Sequence, residues 1–125
     1  MDKKVMALDY AKILKEVEAI NSSLKTSIKH MPRWNRYNAG DRIILLMLDI
    51  KVSLKLVLKG VNYELDNSEL YNNLLKLGII IDDCLEDGSL LLKGKYTVIE
   101  PRTRLITIIE EIQHIILQDG CKICR

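Results

Sequence analysis

The sequence has no phenylalanine and, in 125 residues, only two prolines and six glycines. So few turn-forming residues exclude a sandwich or barrel of many short strands, which needs a turn signal every 8–12 residues or so. Histidine occurs twice, which leaves little material for acid–base or metal chemistry. The three cysteines, Cys84, Cys121 and Cys124, are an odd number in a chain long enough to build a core without cross-links. We expect them to be reduced thiols in a cytoplasm. The longest apolar run, Ile43 to Leu48, is six residues, far short of the roughly 20 needed to span a bilayer. Near the start, Lys3 and Lys4 are followed by Asp9, Lys12, Lys15 and Glu16 rather than by an apolar stretch, so no export signal is expected.

What remains is rich in Leu and Ile. Hydrophobic residues make up 48% and charged residues 29%, a balance that supports one folded core rather than a disordered chain. Tyr10, Ile13, Leu14, Val17, Ile20, Leu24 and Ile28 fall on one helical stripe, with Lys12, Lys15, Glu16, Glu18, Lys25 and Lys29 elsewhere. This predicts a first helix from Met6 to His30, ended by Pro32. The segment from Met31 to Asn38 reads as a link. A second helix is expected from Ala39 to Lys59, stopped by Gly60. Its apolar residues cover most of its circumference, so we expect part of it to face a second subunit.

Asn67 or Ser68 is the expected cap of a third helix carrying Leu70, Tyr71, Leu74, Leu75, Leu77, Ile80, Ile81 and Leu85, closed by Gly88 or Gly94. Ser89 to Val98 is ambiguous, because Leu90 to Leu92 suit a helix and Tyr96 to Val98 a strand. Pro101 is the expected first residue of a fourth helix running through Ile116 to Gly120. A rival strand over Leu105 to Ile109 is disfavoured by the helical spacing that continues to Ile116. The prediction is an all-α, antiparallel, up-down-up-down four-helix bundle over residues 1–120, with residues 121–125 as a flexible tail.

Charge is unevenly placed. The net charge is +2, but residues 1–60 hold twelve Lys and Arg against six Asp and Glu, while residues 61–125 hold seven against eleven. The basic half contains Lys51, Lys55 and Lys59 at four-residue spacing, and Arg33, Arg36 and Arg42 beside Trp34 and Tyr37. Two readings stand side by side. The lysines keep a greasy helix soluble, or the basic residues form a phosphate-binding face whose affinity comes from counterion release. Trp34 and Tyr37 either stack on unpaired bases or plug the end of the bundle. The acidic group Asp82, Asp83, Glu86 and Asp87 is a solvated face, or meets the basic half of a neighbouring copy.

Catalytic chemistry finds little support. Glu111 and His114 have the Glu-x-x-His spacing of carboxylate-bridged di-metal bundles, but the other histidine, His30, has Ser27 three residues before it. Cys121 and Cys124 form a C-x-x-C without the second pair that a structural zinc site needs. No nucleophile–base pair, P-loop or dinucleotide fingerprint is present. We expect no enzyme, no metal and no cofactor.

The run Met31-Pro32-Arg33-Trp34-Asn35-Arg36-Tyr37-Asn38-Ala39-Gly40-Asp41-Arg42-Ile43, between a first helix and a long apolar one, resembles a bacterial four-helix-bundle family. That family includes proteins encoded in intervening sequences of large-subunit ribosomal RNA genes. It also includes the accessory variability determinants of diversity-generating retroelements. Its Pro-basic-x-x-Arg-Tyr segment with a following Gly is matched here, as is the Glu-Ile pair of the fourth helix at Glu111-Ile112. The usual closing aromatic of that helix is replaced by Ile115-Ile116-Leu117, and Ser89 to Thr103 fits the family's third connection loosely. The resemblance implies a barrel-shaped homopentamer. It also implies a basic surface that binds nucleic acid and the retroelement reverse transcriptase, supporting use of its template RNA without catalysis. Arg33, Arg36, Arg42, Lys51, Lys55 and Lys59 are the expected nucleic-acid contacts, with Trp34 and Tyr37 available for stacking. The alternative is an oligomeric protein–protein interaction module with no nucleic-acid partner.

Overall fold

A computed structural model describes residues 8–60 and 67–123, with side chains up to Ile116 in the last helix. Four long helices carry the fold: α1 (Tyr10–Lys29), α3 (Asp41–Leu58), α4 (Asn67–Glu86) and α5 (Ile99–Ile123), with a one-turn α2 (Arg33–Asn35) ahead of α3. No strand occurs among the described residues. The protein is an all-α four-helix bundle.

Each long helix buries residues at spacings of three and four. The buried sets are Ile13, Val17, Ile20, Leu24 and Ile28 on α1, and Ile43, Met47, Ile50 and Leu54 on α3. Leu70, Leu74, Leu77, Ile81 and Cys84 do the same on α4, and Leu105, Ile108 and Ile112 on α5. This is the seam pattern of helices crossing at shallow angles, and the four seams meet in one core. α1 packs against α3 and α5, and α4 packs against the same two, so α1 and α4 lie on one diagonal.

Directions follow from side-chain pairs. Lys12 meets Glu111 at 3.2 Å and Glu16 meets Arg104 at 2.9 Å, so α1 and α5 run opposite ways. Asp82 meets Arg102 at 3.0 Å, which reverses α5 against α4. The start of α3 lies beside Ile28 while Lys55 lies near Glu18, which reverses α3 against α1. Tyr10 Oη donates to Asn67 Oδ1 at 2.8 Å, joining the starts of the two diagonal helices. The topology is up-down-up-down.

Several boundaries differ from expectation. α1 begins at Tyr10 because Asp9 caps it, accepting the Lys12 N–H at 3.1 Å; the expected start, Met6, lies outside the described residues. The link after Pro32 is helical. α2 starts at Arg33, a π-helical turn spans Arg36–Gly40, and α3 follows without a break. The Asp41 N–H bonds the Arg36 carbonyl five residues back, which defines the wide turn. Asn67 is the first residue of α4 rather than its cap. α5 begins at Ile99, leaving Pro101 in the first turn, where an N–H has no intrahelical acceptor. Its backbone continues past Gly120 to Ile123, so that glycine does not end it. Gly60 and Gly88 do close α3 and α4, at φ of +73° and +82°.

Ser89 to Val98 is neither helix nor strand. It is an irregular loop that sends Leu90 and Val98 into the core and closes on itself through the Val98 N–H to Leu91 carbonyl bond of 3.0 Å. At its start the Ser89 hydroxyl beside Asp87, together with the Ser89 N–H bonded to the Asp87 carboxylate at 2.8 Å, holds that carboxyl below its usual pKa. This contribution to the α4 terminus is present at neutral pH and disappears as pH falls through the lowered pKa of Asp87.

Gly40 is the tightest point. A β-carbon there would stand 2.9 Å from Ile28 Cγ2, on a buried, β-branched side chain with little freedom to move. Gly40→Val is expected to destabilise the protein by about 1–3 kcal/mol, read as a lower urea midpoint at unchanged slope. Adding Ile28→Ala should give a combined loss smaller than the sum of the two single losses.

Candidate nucleic-acid interface

The basic residues singled out in the sequence all lie on the helical rod from Arg33 to Leu58 or at its C-terminal cap, Lys59. They do not form one cluster. Arg36 and Lys59 are 23 residues apart along that rod, about 35 Å at 1.5 Å per residue. Arg33 and Arg36 sit at the end of the bundle where α1 finishes, and Arg42 lies further along. Lys51 and Lys55 occupy the second half, and Lys59 closes the far end.

Trp34 and Tyr37 resolve one of the open readings. Trp34 lies in the one-turn α2 and Tyr37 in the π-helical turn that follows it, three residues further on, and both are on the solvent side of the rod. Trp34 is 77% exposed and Tyr37 is 60% exposed. Neither ring plugs the bundle. The Arg33 and Arg36 guanidinium carbons lie 5.8 and 5.9 Å from the Tyr37 ring centroid, at the outer reach of cation–π attraction. Arg36 also donates from Nη1 to the Lys29 carbonyl at 3.2 Å, which ties the start of the rod to the end of α1.

Lys55 meets Glu18 at 3.9 Å, a long and exposed pair of little energetic weight. Lys51 and Lys59 make no ion pair among the described residues. Arg42 lines a shallow, largely apolar groove between α3 and α4 with Leu45, Leu46, Asp49, Lys76, Ile79 and Ile80. Leu45 and Ile79 are each 60% exposed there. The surplus apolar residues of the second helix therefore lie on the surface, with Leu48 and Val52 also exposed.

The same end of the bundle holds residues that sequence reasoning passed over. The Ser89–Val98 loop folds onto the end of α1, where Ser27 Oγ donates to the Thr97 carbonyl at 3.2 Å. It lays Tyr96 flat on His30, with ring centroids 3.5 Å apart and planes within 4°. Lys93 and Lys95 are exposed on the loop, and Lys29 on the last turn of α1. The available signal was the tetrapeptide Lys93-Gly94-Lys95-Tyr96, which repeats the basic-aromatic composition of the Arg33 to Tyr37 segment.

Other chemistry is poorly placed. Glu111 is paired with Lys12 on the surface. Among the described residues no three His, Cys, Asp or Glu side chains come together in a metal-holding group. Burial pushes the Cys84 thiol above its ordinary pKa, which keeps it protonated and unreactive at neutral pH. The side chains of Cys121 and Cys124 lie outside the described residues. Among the described residues no helix is long and apolar enough to cross a membrane.

No family model, curated protein or solved structure matches the chain. Exposure of the Trp34 ring has a direct consequence. Trp34→Ala should leave the thermal midpoint and the helical circular dichroism of the protein unchanged, with stability within about 0.5 kcal/mol of the parent.

Proposed function

We propose that the protein is a non-catalytic, oligomeric accessory protein that binds nucleic acid through its basic helical rod. In this reading it serves a diversity-generating retroelement in the cytoplasm, engaging the template RNA and the reverse transcriptase, with the homopentamer of the resembling family as its assembly. One observation carries the reading. Trp34 and Tyr37 stand in solvent on a helix, next to Arg33 and Arg36, although a lone Trp ordinarily adds to a core. Exposed aromatic faces bordered by fixed positive charge are what a single strand needs, since every base offers a face and every nucleotide a phosphate. Arg42, Lys51, Lys55 and Lys59 extend the positive charge along the rod and supply further phosphate contacts.

The oligomer rests on a separate observation, the exposed row Leu45, Leu48 and Val52 on α3 with Ile79 beside it on α4. Contiguous apolar surface of this kind favours burial against another protein. It also favours the second reading, an oligomeric interaction module without a nucleic-acid partner. Light scattering at micromolar concentration separates an assembled protein from a monomer, and RNA titration separates the two functions.

Changing Lys51, Lys55 and Lys59 together to Gln is expected to weaken RNA binding while leaving helicity and assembly intact. It should also flatten the log–log salt dependence by roughly 0.7 units for each single-strand phosphate contact removed. Arg33→Gln with Arg36→Gln should act likewise, and the two sets of losses should add because the groups are well separated. RNA affinity in the triple Lys variant equal to that of the parent would remove the lysines from the interface. The same result in the double Arg variant as well would hand the surface to the interaction-module reading.

A further inference from the structure

We infer that the stacked His30–Tyr96 pair is a base-stacking subsite for unpaired nucleotides, an inference that rests on the nucleic-acid reading above and extends it to the Ser89–Val98 loop. The two rings lie 3.5 Å apart and within 4° of parallel. That separation is close to the roughly 3.4 Å rise between stacked bases, so the pair is already a two-ring column to which a base adds at the same spacing. Both residues are exposed, Tyr96 at 48%, and the column is open to solvent.

The column is held in place from both sides. His30 Nδ1 lies 3.0 Å from the Thr26 carbonyl; a carbonyl only accepts, so Nδ1 carries the proton and Nε2 is left at the other edge of the ring. The loop is anchored by buried Leu90 and Val98 and by the Ser27 hydroxyl on the Thr97 carbonyl. Tyr96 has φ of +58°, a left-handed conformation that bulky residues rarely adopt. A ring held this way loses little further freedom when a base stacks on it.

The surroundings fit a single strand. Exposed Lys93 and Lys95 flank the ring on the loop, and exposed Lys29 precedes His30 on α1. The Lys29 carbonyl accepts from Arg36, whose guanidinium lies near the Tyr37 ring. Tyr96, His30, Lys29, Arg36 and Tyr37 are thus linked by successive contacts and one peptide bond, so three aromatic rings and two cations share one end of the bundle. A duplex hides its base faces and cannot use the rings; an unpaired strand can.

The test uses Tyr96→Gly in the full chain. Glycine removes the ring and relieves the positive φ, so the loop backbone is not strained by the change. Binding is followed by fluorescence anisotropy with a labelled 12-nucleotide oligoadenylate, as RNA and as DNA, and with an abasic strand of the same length. Affinity for both oligoadenylates should fall roughly tenfold or more, and affinity for the abasic strand should not change, because only stacking has been removed. His30→Ala should show the same selectivity, and Tyr96→Trp should bind oligoadenylate at least as well as the parent. Oligoadenylate affinity in Tyr96→Gly and His30→Ala equal to that of the parent, alongside a loss in Trp34→Ala, overturns this subsite and leaves the wider reading standing. An equal loss on the abasic strand overturns it too, by showing that the change acts through the fold. A parent protein with no affinity for any strand overturns both.

Discussion

Gly40 stands where the head of α3 passes the tail of α1, and a β-carbon there would collide with Ile28 at 2.9 Å. With this close approach, only His30, Met31 and Pro32 separate α1 from the helical rod that begins at α2 and runs on into α3. Met31 folds into the core at the same point, its sulfur 3.5 Å from where the β-carbon would be. So short a turn forces the chain back into helix at Arg33, and the π-helical turn over Arg36–Gly40 takes up the extra residue. Trp34 and Tyr37 are carried outward as a result.

The four long helices and most of their buried stripes could be read directly from the sequence, because spacings of four and three are a period that no strand shares. The end of α1 near His30, the stop at Gly60 and the closure of α4 at Gly88 were equally legible, since each depends on a single Pro or Gly. The Arg33–Asn38 segment was not. Pro32, Asn35 and Asn38 read as loop in isolation, whereas the chain is helical from Arg33 and packs against Ile28 at Gly40, a tertiary contact that no local propensity reports. Tyr96 was hidden for a related reason. Its partner His30 is 66 residues away, and only the folded loop brings them together. The basic residues were identifiable one by one, but their separation along a 35 Å rod follows from the helix replacing the expected loop.

The surface divides by type of interaction. The ion pairs between helices are partly exposed and each adds little to stability; they are consistent with the antiparallel order that the core packing holds. In that order the helix dipoles oppose one another, so the ends of the bundle carry almost no backbone charge of their own. Any field at the aromatic end comes from side chains. The positive ones belong to α1, α2 and the Ser89–Val98 loop, while the acidic residues Asp82, Asp83, Glu86 and Asp87 cluster at the end of the diagonal helix α4. The two signs of charge therefore lie on different sides of that end, and the field of each is screened by salt over about 10 Å at 0.1 M.

The bond from Tyr10 to Asn67 and the ion pair from Lys12 to Glu111 place the start of α1 and the latter part of α5 at one pole. Trp34 and Tyr96 occupy the other pole, a helix length of about 30 Å away. The molecule therefore has two unlike poles, one fastened by polar pairs between helices and one bearing exposed aromatic rings. A dye on an exposed residue near Lys12 and a second on the Ser89–Val98 loop would span the long axis and report its length.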